Sequence, residues 1–148
     1  MATKKSDDAS FTAEERAAMK ERAAELKSTR GTKGAAKKEK EAQDLKDKIA
    51  ELPDDERVIA HKVADIVAEE APELDPKTWY GMPAWARDGA VIVFVQPASK
   101  FKVRYHTVGF NDGAALDDGS FWPTAYALTA MTKATEAELR KLVKKAVG

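Results

Sequence analysis

The chain has 148 residues, a formal net charge of zero and no cysteine. That length is enough for one domain with a sizeable core; balanced charge removes any whole-molecule pull toward nucleic acid or an anionic membrane; and without cysteine there are no disulfides, thiolate metal sites or cysteine nucleophiles. The opening MATKKSDDAS has basic residues but no apolar run behind them, and no stretch reaches the roughly 18 apolar residues of a membrane span, so a cytoplasmic protein with no membrane partner is expected.

Before Leu52 the one aromatic is Phe11, whereas all three Trp, all three Tyr and the rest of the five Phe lie between Trp79 and Tyr126. Two parts are therefore expected: a charged helical arm over residues 1–51, partly flexible, and an α+β body over 52–148. Residues 1–10 are polar and expected to be mobile. Thr12 and Glu15 form a capping box. The helix it opens, TAEERAAMKERAAELK, offers only Met19 and Leu26 as a thin apolar stripe. The two glycines of STRGTKGAA mark a hinge. A second helix follows over about Ala36 to Glu51, with Leu45, Ile49 and Leu52 at helical spacing. The lysines of TRGTKGAAKKEK admit a nucleic-acid arm. Their nearby acids and the lack of interleaved aromatics favour a solvated linker instead.

Pro53 closes that helix, and Asp54, Asp55 and Glu56 set negative charge at the start of the next, where the helix dipole favours it. Val58, Ile59, Val63, Ile66 and Val67 give it an apolar face toward a sheet, flanked by alanines 60, 64 and 68. On the other face His61, Asp65 and Glu69 follow at i, i+4 and i+8. Imidazole with carboxylate suits iron or manganese. The row spans about 12 Å, however, so one ion reaches only two of the three. The competing reading is a wet face with a His–Asp contact.

The stretch WYGMPAW packs Trp79, Tyr80 and Trp85 around a glycine and a Met-Pro bond. Pro83 holds Met82 extended and removes a ladder donor, which places this strand at an edge or beside a bulge. Gly81 permits positive φ. Asp88-Gly89 predicts a hairpin, AVIVFV a buried strand, PASK a second turn, and FKVRYHTV a third, alternating strand. Counting from these turns sets Trp85 opposite Ile92, Pro83 opposite Phe94, Phe94 opposite Val103 and Ile92 opposite Tyr105. One face then gathers Trp85, Phe94 and Tyr105 as core. The other gathers Met82 and valines with a basic row of Lys102, Arg104 and His106. With Trp79 and Tyr80 walling one end, that face reads as a ligand site for a small molecule or a protein. The alternative is a wet sheet face with rings capping the core rim.

The loop carrying Asp112, Asp117 and Asp118 lacks calcium-loop spacing. FWPTAYALTAM admits a strand or a helix, and Pro123 near its start with the aromatic content favours a fourth strand. Thr135 to Glu138 reads as a capping box for a closing helix, Glu136 to Ala146, buried through Leu139, Leu142 and Val143. The expected fold is thus α+β: an antiparallel sheet of about four strands packed by helices, behind a charged helical arm.

The order APELDPKTWYGMPAWARDG, an apolar strand, KFKVRYHTVGF and LDDGSFWPTAYAL resembles the YdhG-like family of bacterial domains of unknown function, from about Leu52 to the C-terminus. The resemblance implies helices on an antiparallel sheet. Because some YdhG-like proteins are described as frataxin-like iron chaperones, it also implies weak iron binding by exposed carboxylates. The nearest candidates are Asp54, Asp55, His61, Asp65, Glu69, Glu70 and Glu73. No G-x-S-x-G, phosphate loop or H-E-x-x-H is present. The expectation is a non-enzymatic binding protein, either an iron binder or a module using Trp79, Tyr80, Met82, Lys102, Arg104 and His106. Nucleic-acid contact through the arm is the weakest alternative.

Overall fold

A computed structural model describes residues 10–148. The mobility expected of residues 1–10 concerns, apart from Ser10, a stretch outside the described residues. The elements in chain order are α1 (Ala13–Ser28), α2 (Gly34–Ala50), α3 (Asp54–Glu70), β1 (Asp75–Trp79), β2 (Met82–Arg87), β3 (Ala90–Gln96), β4 (His106–Phe110), β5 (Ala125–Leu128) and α4 (Lys133–Ala146). The five strands form one antiparallel meander in the order β1-β2-β3-β4-β5.

The strand beyond the expected four is β1, and it explains WYGMPAW. Trp79 pairs with Met82 across a two-residue turn. Tyr80 and Gly81 both have positive φ, 54° and 76°, as the hairpin turn that matches strand twist requires. The motif is therefore a hairpin hinge with a ring-rich strand end on each side. β2 is internal, but Pro83 lies beyond its last pair with β3, Ala84–Phe94, so its missing donor breaks no bond there.

The expected register does not hold. Arg87–Ala90 and Ala86–Val91 pair as the Asp88-Gly89 turn dictates, but Trp85 then faces Val93 instead of Ile92. Ile92 is the extra residue of a β-bulge, its carbonyl accepting from Asn111 N–H at 3.0 Å. One inserted residue exchanges the faces of everything beyond it. Trp85 joins Val93, Val95, Val108 and Phe110 on the side packed by helices. Phe94 lies on the opposite side with Ala84, Ala86 and Val91. The third strand also begins later than expected, at His106. A 3-10 turn at Ala98–Lys100 and a left-handed Lys102 (φ 54°) lead the chain outward, so Phe101, Val103 and Tyr105 precede the strand. Phe94 pairs with Gly109 rather than Val103. Trp85, Phe94 and Tyr105 therefore do not share a face.

The main core lies between that sheet face and three helices. Leu45 and Ile49 of α2, Ile59, Val63, Ile66 and Val67 of α3, and Leu139 and Val143 of α4 belong to one buried cluster with Trp85. The second helix of the expected arm thus packs into the body's core. In α3 the buried row is Glu56, Ile59, Ala60, Val63, Ile66 and Val67. Val58 falls outside it and is 65% exposed, against expectation. The stripe repeats every three or four residues from 56, which sets 58 on the flank. α4 starts a turn earlier than expected: Thr132, not Thr135, is its cap, its hydroxyl accepting from Thr135 N–H at 3.1 Å.

Candidate functional site

Trp79, Tyr80 and Met82 do come together, but as packing. The Trp79 ring lies 5.3 Å from that of Tyr80 and 5.2 Å from that of Phe94. Met82 is buried. Above Tyr80 sits the Arg22 guanidinium, 5.8 Å from the ring centroid.

The expected basic row does not form. Lys102 and Arg104 precede the strand; Lys102 Nζ lies 3.0 Å from Glu14, and the Arg104 guanidinium lies over Tyr105. His106 is in the strand, but it alternates with Val108 and Phe110 and so faces inward. There its Nδ1 accepts from Ala98 N–H at 2.9 Å and lies 4.0 Å from Glu56 Oε1. Glu56, itself buried, accepts from Ser99 N–H at 2.8 Å and from the Ser99 hydroxyl at 2.7 Å. Serine, histidine and carboxylate are the ingredients of a hydrolytic triad, but the serine donates to the carboxylate and the acceptor nitrogen of the imidazole is taken by an amide. The imidazole does not stand on the hydroxyl. The cluster clamps the turn at 98–100 between α3 and β4.

The metal candidates are spread along the exposed face of α3. His61, Asp65 and Glu69 are all exposed. Among the described residues no group of three or more His, Asp or Glu is placed to hold an ion. Glu69 is already engaged, lying 2.5 Å from Arg140, which also meets Glu70 at 3.3 Å and Glu136 at 2.9 Å. The hydrogen bond from Arg140, with a second from Lys62, holds the Glu136 carboxyl below its ordinary value. The same carboxylate, with Glu69, drives Arg140 further above its own.

An apolar hollow lies between α2 and α3, with a volume of about 550 Å³. Helix α2 lends Leu45 and Ile49, the strand region lends Leu74 and Trp85, and the helix-facing positions are the small Ala42, Ala64 and Ala68. Those small side chains leave the space between the helices and the sheet edge unfilled. Two side chains that can be charged line it, Lys46 and His61, and both are exposed; no carboxylate does. His61 and Trp85 were singled out in the sequence, one as a metal ligand and one as packing. Lys46 and the alanines were not read as a site, although Ala64 and Ala68 at a four-residue spacing were the available signal.

No family model, curated protein or solved structure matches the chain. Among the described residues no helix is long and apolar enough to cross a membrane.

Proposed function

We propose that this protein binds a small apolar molecule with an anionic head group in the hollow between α2 and α3. One observation carries the reading: a cavity of about 550 Å³ whose walls are apolar and whose chargeable groups are Lys46 and His61, with no acid among them. That size lies inside the roughly 300–1,000 Å³ range of ligand pockets, which are typically apolar with a few convergent polar groups. Trp85 lines the floor against an alkyl or aryl body, and Lys46 at the rim favours a carboxylate. No hydroxyl or thiol nucleophile lines the hollow, which supports binding rather than turnover.

The iron role implied by the YdhG-like resemblance finds less support. Asp54, Glu69, Glu70 and Glu73 are each engaged by an arginine, so an ion would have to displace it. A nucleic-acid role for the arm is weakened similarly, since Lys38 and Lys48 of α2 meet Asp75 and Glu21.

The test is a titration of the full chain with decanoate and, separately, with decylamine, read by amide chemical shifts. Decanoate is expected to shift signals of residues 42–49 and 61–68 saturably, with decylamine weaker and Ala64→Phe abolishing the response. A folded protein whose signals there stay fixed with both probes would overturn the assignment.

A further inference from the structure

The helix α1 is held to the body by charge. Its one buried residue is Ala18. Its large apolar side chains, Met19 and Leu26, are 39% and 56% exposed. The holding contacts lie along one face, at Glu14, Glu21 and Glu25, spaced by two turns and then one. Glu14 lies 3.0 Å from Lys102 Nζ. Glu21 accepts from Lys100 Nζ at 2.6 Å and lies 3.4 Å from Lys48 Nζ. Glu25 accepts from the backbone N–H groups of Tyr80 at 3.0 Å and Gly81 at 2.7 Å.

The receiving surface is shaped for those carboxylates. Two successive residues with positive φ, Tyr80 and Gly81, present adjacent N–H groups to one acceptor, which is a backbone anion nest. Lys48 and Lys100 flank it. The left-handed backbone at position 81 (φ 76°) favours glycine there, and a Cβ would push aside the ends of the Glu21 and Lys100 side chains that meet at the seat. α1 is joined to the rest by residues 29–33, with Gly31 at φ 81° and Gly34 at φ 59°. Nothing in the seat distinguishes the chain's own α1 from another copy's.

We propose that this surface also accepts α1 from a second copy of the chain, so that two molecules exchange their N-terminal helices and Glu25 of one accepts from the Tyr80 and Gly81 amides of the other. Exchange keeps every seat contact and alters only the tether, the low-cost route to a dimer. The short tether gives the chain's own helix an effective concentration of roughly millimolar. At micromolar protein α1 therefore stays on its own body. A tether too short to reach leaves the second copy as the one source of α1.

The experiment takes the full chain with Gly31 and Thr32 deleted and measures its mass by light scattering. A dimer is expected at micromolar protein, reverting to monomer when Lys48→Glu and Lys100→Glu are added. A folded deletion variant that remains monomeric, or a dimer indifferent to those reversals, overturns the proposal. Should the deletion prevent folding, the full-length chain carrying Glu21→Gln and Glu25→Gln is titrated with a fluorescein-labelled peptide of residues 10–30. Saturable, salt-weakened binding that is lost with Lys100→Glu supports the exchange. No binding, or binding that survives Lys100→Glu, overturns it.

Discussion

The ring of Phe94 lies against Gly109. The two residues are directly paired across β3 and β4, and a Cβ at position 109 would sit 2.2 Å from Phe94 Cζ. The glycine is there for space: its backbone is not in the left-handed region. Phe94 lies flat on the sheet because its cross-strand neighbour has no side chain, and that lets it meet Trp79. Gly109→Ala is expected to lift the ring and destabilise the fold by roughly 1–3 kcal/mol, the usual cost of overpacking. Urea unfolding measures it. In a Phe94→Leu background the same change should cost clearly less, since the two substitutions act on one contact.

Glu56 is the residue through which α3 holds the loop before β4. Three groups converge on it: the Ser99 amide, the Ser99 hydroxyl and, at 4.0 Å, the His106 ring. Glu56→Ala leaves the amide and hydroxyl of Ser99 to find other partners, and a loss of about 2–4 kcal/mol is expected. Two positions on, Val58→Ala should change stability by less than about 0.5 kcal/mol, since its side chain stands in water. Thermal unfolding of the two variants side by side decides this. A larger effect at Val58 would mean that the helix is rotated.

Those two positions show where the sequence was legible and where it was not. The start of α3 at Asp54 followed from Pro53 and the acidic first turn, because helix ends are written in local chemistry. The Thr12 capping box was equally local. Val58 was misjudged because the apolar pattern alone did not show which row of the helix is buried, and the burial of Glu56 was not foreseen because it depends on a distant Ser99 that offers two donors. The sheet failed at two places: nothing in AVIVFV, apolar throughout, distinguishes a bulge at Ile92 from a regular strand, which turned Phe94 to the other face, and the longer excursion through Lys102 before β4 displaced Tyr105 and His106. The hollow beside Trp85 arises where two helices and a strand edge meet, so its parts were visible singly but not its presence.

The second helix of the charged N-terminal segment carries stability. Leu45 is buried in the cluster that includes Trp85. Leu45→Ala is expected to cost about 2–5 kcal/mol, as core truncations do. Leu26→Ala in α1, whose side chain is 56% exposed, should fall within about 0.5 kcal/mol. Chemical denaturation monitored by the three Trp residues measures both. If the two variants were equally mild, α2 would be a detachable arm rather than a wall of the core.

Acid should loosen the molecule at two defined places. The hydrogen bond from Lys102 holds the Glu14 carboxyl below its ordinary 4.5. The hydrogen bonds from Arg140 and then Lys62 do the same for Glu136. A carboxyl depressed in the folded state is protonated first in the unfolded chain, so below pH 4.5 unfolding takes up protons. The stabilisation is complete above that value and is lost as pH falls through the folded-state values. Glu14 ties only α1 to the loop at Lys102, so its protonation should show as faster amide exchange confined to α1 while the sheet stays protected. Glu136 joins α4 to Lys62 of α3 at 3.1 Å, so its protonation should lower the global urea midpoint. Glu136→Gln is expected to lower that midpoint at neutral pH and to flatten its decline below pH 4.5, whereas Glu14→Gln should leave the global curve nearly unchanged and remove the pH dependence of exchange in α1. A midpoint that declined as steeply in Glu136→Gln as in the parent would place the acid-sensitive group elsewhere in the fold.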